Sequence, residues 1–132
     1  MILMKDKLQF LTLKNSKNFD FLNQISTSKI FNDEVIYYLN NLSKVIFNDP
    51  RSKQYPDVTT FAFFCRKANI CSLAKKYNNT YYQMTGRGIV FHIAPSNVPV
   101  NFAYSLVAGL LAGNINVVRV PSKNFDQVQI IA

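Results

Sequence analysis

Apolar residues recur along this chain first at helical and then at strand spacing. Val35, Leu39, Leu42 and Ile46 follow one another at three- and four-residue steps, which places them on one side of a helix ending near Phe47. The pattern from Lys17 to Ala74 reads as helical, interrupted at Asn48-Asp49-Pro50 and at Tyr55-Pro56. A second long helix is predicted over 57–73, with Asp57 as candidate cap and Phe61, Phe64, Ala68 and Leu73 on roughly one side. Tyr77-Asn78-Asn79-Thr80 breaks it, and Tyr81-Tyr82-Gln83-Met84 reads as a short extended piece leading to Gly86.

From Gly86 the period changes. Ile89 to Ala94, between Gly88 and Pro95, and Ile115 to Val120, between Gly113-Asn114 and Pro121, are short β-rich runs that suit buried parallel strands. Between them Val100 to Ala112 is rich in Leu, Ala and Val and is closed by Gly113, a residue suited to the position after a helix. Strand, helix and strand make one βαβ unit, so the fold class is α/β with helices in front. Asn124 to Ala132 reads as the start of a further helix with Asn124 as its cap. No C-terminal helix signal follows, and the chain is expected to be the front portion of a longer one.

At 132 residues and 48% hydrophobic content the chain is expected to build a packed core, which argues against wholesale disorder. Fifteen Lys and Arg against seven Asp and Glu give a formal +8, a balance that favours nucleic acid, an anionic surface or a phosphate-bearing cofactor. Those charges are scattered, with Arg66-Lys67 and Lys75-Lys76 as the adjacent basic pairs and no basic run, so solvated lysines are preferred to a nucleic-acid face. Cys65 and Cys71 lie six apart in a helical pattern, far apart around the axis, which suits reduced buried thiols rather than a disulfide or a metal pair. No metal site is expected. No apolar run reaches membrane-spanning length, and Met1-Ile2-Leu3-Met4 is followed at once by Lys5-Asp6-Lys7, unlike a signal peptide, so the expected location is cytoplasmic.

Gly86-Arg87-Gly88 precedes its strand, whereas a dinucleotide fingerprint needs its glycines in the turn after the strand, so that reading is rejected in favour of a flexible lead-in. The turn after the first strand, Pro95-Ser96-Asn97-Val98-Pro99, lies where open α/β sheets bind ligands, and its two prolines stiffen it around the Asn97 carboxamide. A rigidly held amide can donate to a developing oxyanion; equally, Asn97 or Ser96 can cap the following helix. Arg119, Ser122 and Lys123 end the second strand beside that turn, where a hydroxyl and point positive charges suit a phosphate, or remain solvated. His92, inside an apolar strand, reads as a packed histidine, and the aromatic residues follow core spacing more than a base-stacking platform.

The run GRGIVFHIAPSNVPVNFAYSLVAGLLAGNINVVRVPSK resembles the acyl-CoA reductase family typified by the fatty-acid reductase component of bacterial bioluminescence, a branch of the aldehyde dehydrogenase superfamily. Upstream, Pro56-Asp57-Val58 through Phe63-Phe64-Cys65-Arg66-Lys67-Ala68-Asn69-Ile70 resembles the helix that precedes that family's nucleotide-binding domain, so the likeness covers roughly 55–123. The resemblance implies a mainly helical segment over 1–80 and, over 81–132, the start of an incomplete Rossmann nucleotide-binding domain. It implies NADPH-dependent reduction of a long-chain acyl-CoA, or another activated acyl donor, to an aldehyde through a cysteine thioester.

By that resemblance Asn97 is the oxyanion donor, and Pro95, Ser96, Arg119, Ser122 and Lys123 are the cofactor-binding residues. The superfamily often has a lysine before the turn and a glutamate soon after it, both on the adenosine ribose; here Val120 and Lys123 stand at those places. Exchange of the glutamate for Lys123 removes a charge that would repel a 2′-phosphate, which favours NADPH. The family's nucleophilic cysteine matches neither Cys65 nor Cys71 and is expected in a downstream domain, so this chain alone is expected to be inactive. A homo-oligomer or an acyl-transfer partner in the full-length form is a further expectation, with no nucleic acid and no membrane span. The alternative is a non-catalytic α/β module that holds a nucleotide or another anion.

Overall fold

The computed structural model describes residues 2–4, 8–10, 26–77 and 83–132. Near the N-terminus β1 (Ile2–Met4) pairs antiparallel with β2 (Leu8–Phe10). Four helical segments follow: α1 (Asp33–Asn48), a 3₁₀ turn over Pro50–Gln54, α2 (Pro56–Phe64) and α3 (Lys67–Tyr77). The chain then runs through β3 (Ile89–Ile93), α4 (Asn101–Leu111), β4 (Ile115–Arg119) and α5 (Asp126–Ile131).

α1 begins where the Asn32 side chain accepts a hydrogen bond from the Glu34 N–H at 2.7 Å, with Asp33 and Glu34 favourably placed at the positive end of the helix dipole. Its buried stripe is Ile36, Leu39, Ser43 and Ile46, while Val35 and Leu42 flank it half-buried. The predicted stripe was therefore right in period and rotated by about one position. Asp49 ends α1 with its N–H and opens the 3₁₀ turn with its carboxylate, which accepts from the Arg51 backbone and pairs with the Arg51 guanidinium.

The single long helix predicted over 57–73 is two helices. At the break Cys65 is fully buried, the Lys67 N–H donates to Asn40 Oδ1 on α1 at 3.1 Å, and Asn69 Nδ2 donates to the Phe64 carbonyl at 2.8 Å. These side chains satisfy helix-end groups that a continuous helix would have paired internally, so the break is stable without a Pro or Gly. Nor is Asp57 the cap of α2: Tyr55 holds that position without a side-chain bond, Pro56 fills the first helical position, and Asp57 sits inside the first turn.

The helical reading from Lys17 onward also fails over Ser26–Asn32, which is an extended strap; Lys17–Ile25 lie outside the described residues. Its N–H groups go elsewhere in the fold: Ser28 to the Gly113 carbonyl at 2.9 Å, Ile30 to Met84 at 3.1 Å and Phe31 to Leu111 at 2.8 Å. Phe31 adopts a positive φ of 48° to make that crossing. Of the extended piece predicted over 81–84, Tyr81 and Tyr82 lie outside the described residues, and Thr85 bridges antiparallel to Lys29.

The βαβ unit forms as predicted. β3 and β4 pair in parallel, Ile89 with Ile115 through Ile93 with Arg119, and α4 connects them. Beyond Ala112 the Gly113 N–H donates to the Leu110 carbonyl and the Asn114 N–H to Gly109, a Schellman closure made possible by Gly113 at φ 77°. One core joins these layers, with Leu39 and Ile46 of α1, Val58 and Phe61 of α2, Ile70 of α3, Phe102 and Val107 of α4 and Val118 of β4 inaccessible to solvent. Phe61 meets the Tyr104 ring edge-on at 5.1 Å between centroids. α5 adds Val128 and Ile130 and is tied down by the Tyr55 hydroxyl, which donates to Asp126 Oδ2 at 2.6 Å. Its N-cap is Phe125, not Asn124, and no side chain caps it.

Burial of the two strands differs from expectation. In β4, Val117 and Val118 are both buried although they point to opposite faces. In β3 only the face under α4 is covered, and Ile89, Phe91 and Ile93 on the other face are 56%, 48% and 69% exposed. β3 is therefore a half-buried strand with an apolar outer face, which residue type alone does not distinguish from a fully buried one.

Candidate functional site

The parallel register decides what the βαβ unit presents. Its strands end at the paired residues Ile93 and Arg119, so the segments that follow, Ala94–Val100 and Val120–Phe125, leave the same edge of the sheet side by side. This is the carboxyl edge, where ligands of open α/β sheets bind. Pro95, Ser96 and Asn97 from the first segment and Ser122 and Lys123 from the second are all exposed. Sequence reasoning thus named groups that the fold does bring to one edge.

The capping alternative for the first turn does not hold. α4 has Val100 at its N-cap and no side chain bonded to its first turn, so neither Ser96 nor Asn97 serves that role. The Asn97 carboxamide makes no hydrogen bond among the described residues, and neither do the Ser122 hydroxyl and the Lys123 ammonium. Each therefore retains its full donor capacity toward a ligand. Arg119 is placed differently. Strand alternation puts it on the side of Ile89, Phe91 and Ile93, away from α4.

His92 is a packed residue, as its apolar strand suggested. Asn116 Nδ2 donates to the Asn114 carbonyl at 2.7 Å, which leaves Asn116 Oδ1 to accept from His92 Nε2 at 2.8 Å, so the proton lies on Nε2. Asn114 Oδ1 accepts from the Arg87 N–H at 2.7 Å and extends this polar ladder to the opposite edge. α4 can lie over it because Gly109 has no side chain; a Cβ there would strike the Asn116 carboxamide and the His92 ring. Sequence reasoning missed this ladder, although Asn at alternate positions of an apolar strand, Asn114 and Asn116, was a visible signal.

The cysteines are both free, with Cys65 buried and Cys71 half-buried. Burial pushes the Cys65 thiol up to about 12, which leaves it protonated and unreactive at neutral pH. Among the described residues no three His, Cys, Asp or Glu side chains gather as a metal site, and no helix is long and apolar enough to cross a membrane.

No curated protein and no solved structure gives a significant match to this chain. Residues 67–131 do match the family model of acyl-CoA reductase (LuxC), a stretch that takes in α3 and the entire βαβ unit, and this similarity supports the acyl-CoA reductase family.

Proposed function

We propose that this chain forms the cofactor-facing start of an NADPH-dependent acyl-CoA reductase that converts a long-chain acyl-CoA, or a related activated acyl group, to an aldehyde in the cytoplasm. The reading rests on one observation: the reductase match over 67–131 includes both segments of an edge where Asn97 and Lys123 stand exposed and without partners among the described residues. In this proposal residues 1–80 are a mainly helical N-terminal segment, and 81–132 begin a Rossmann nucleotide-binding domain of aldehyde-dehydrogenase type.

Asn97 directs its amide N–H at the acyl thioester oxygen and stabilises the negative charge that gathers there as the carbonyl is reduced. Lys123 and Ser122 hold the cofactor's 2′-phosphate, no acidic residue standing on either side of them within the segment Arg119–Phe125. Pro95 and Ser96 line the same crevice, and Arg119 assists from the outer sheet face. When bound, NADPH supplies the hydride. Neither Cys65, buried and protonated, nor Cys71 is the nucleophile, so the proposal puts the thioester-forming cysteine outside these 132 residues.

Titration of the chain with NADPH and NADH, followed by the backbone amide resonances of 95–100 and 120–124, tests this. NADPH is expected to bind at least about tenfold more tightly than NADH, and Lys123→Glu to remove that preference. Equal affinities in both proteins would sink the cofactor assignment. In the full-length enzyme Asn97→Ala is expected to lower kcat by about 10²-fold with little change in cofactor affinity, and an unchanged kcat would remove Asn97 from the mechanism.

A further inference from the structure

A second cationic site lies on the helical side, in a groove of about 440 Å³ between the C-terminal half of α1 and the start of α3. Lys44, Arg66 and Lys67 line it, and no Asp or Glu does. The Arg66 guanidinium is held between two rings, 4.8 Å from the Phe47 centroid and 4.6 Å from that of Phe63. Its side-chain N–H donors have no acceptor among the described residues, so the two rings hold the guanidinium in place without using its hydrogen-bonding capacity. This explains why Phe63, 57% exposed, stays on the surface as an aromatic side chain.

Two further observations concern this part of the fold. The Ala68 and Asn69 N–H groups in the first turn of α3 have no carbonyl partner among the described residues, whereas that of Lys67 is taken by Asn40. Ser43, which lines the groove, is 2% exposed, and its hydroxyl has no hydrogen-bond partner among the described residues. A buried hydroxyl without a partner is costly to keep unless something accepts from it.

We propose that this groove is a binding site for a phosphate or diphosphate group of a small-molecule ligand. The Arg66 fork would engage two of its oxygens, the Ala68 amide and Ser43 would donate to the anion, and Lys44 and Lys67 would balance the remaining charge. None of the lining residues belongs to the βαβ unit, so the site is separate from the cofactor edge.

The test uses inorganic pyrophosphate and the 132-residue chain at near-physiological salt, read by the backbone amide shifts of Ala68 and Asn69. Both are expected to shift saturably, with affinity about tenfold weaker in Arg66→Gln and about threefold weaker in Ser43→Ala and in Phe63→Leu. Lys44→Gln alters an exposed residue outside the ring stack and gives the same readout should the Arg66 variant fold poorly. Lys76→Gln, on the far end of α3, controls for net charge and should bind as the parent does. Absence of a saturable shift, affinity equal to the parent's in both Arg66→Gln and Lys44→Gln, or a loss in Lys76→Gln equal to theirs would each overturn the site.

Discussion

The two edges of the βαβ unit are built in opposite ways. At its amino edge the backbone is tied down: Ser28 bonds to both Gly113 and Gly86, and a Cβ on Gly86 or Gly113 would fall on neighbouring backbone. At its carboxyl edge Asn97, Ser122 and Lys123 are exposed and bond to nothing among the described residues. One edge is closed by main-chain contacts that tolerate no side chain. The other keeps polar side chains free on stiff, proline-bounded turns. Stability is therefore concentrated at the first and binding capacity at the second.

The largest effect expected is at the closed edge. Gly86→Ala and Gly113→Ala should each destabilise the fold by about 3 kcal/mol in urea titration, because the added methyl meets backbone that cannot rotate away. Gly109→Ala should cost about 2 kcal/mol, since the Asn116 and His92 side chains it strikes can partly yield but lose their mutual hydrogen bond in doing so. A cost below about 0.5 kcal/mol for Gly86→Ala would break the contrast.

Cys65 sharpens it from the core. Its thiol is pushed up to about 12 by burial, above the ordinary thiol value of about 8.5 that the unfolded chain would show. The neutral thiol's contribution is thus complete below about pH 8.5 and is lost as pH rises toward about 12, at a slope of at most about 1.4 kcal/mol per pH unit. Thiol-reactive reagents at pH 8 should modify Cys71 in the native chain and Cys65 only on unfolding; rapid native labelling of Cys65 would contradict its burial.

Asn40→Ala, which removes the acceptor of the Lys67 N–H, should cost about 1 kcal/mol. The smallest effect belongs to the open edge: Asn97→Ala and Ser122→Ala should change stability by less than about 0.5 kcal/mol while altering cofactor binding or turnover. A large loss of stability there would make those residues structural instead.

The βαβ unit was legible because its signals are local. Proline, glycine and the change from strand to helix periodicity mark each boundary within a few residues, and the parallel pairing follows from a helical crossover between two apolar runs. The break at Cys65–Arg66 was illegible for the opposite reason. Its partners are Asn40, distant in sequence, and Asn69, whose side chain turns back to Phe64, and neither leaves a mark in apolar spacing. The strap Ser26–Asn32 was misread as helix because its hydrogen bonds go to Met84, Leu111 and Gly113, far along the chain. For the site, Asn97 and Lys123 were visible as residue types in the right turns, but the choice between capping and an open amide needed the position of the α4 N-terminus.

The sequence by itself determined the periods of α1, β3, α4 and β4, the ends of the last three to within about a residue, and the reductase-like run from Gly86 to Lys123, since these rest on interactions within a few residues of one another. Tertiary structure alone decided which face of β3 is covered, where the long helix divides, and that the Arg66 guanidinium lies over the Phe47 and Phe63 rings in a groove that Ser43 also lines. Those outcomes depend on which distant group supplies the burying surface or the missing hydrogen-bond partner, and neither residue type nor spacing specifies that.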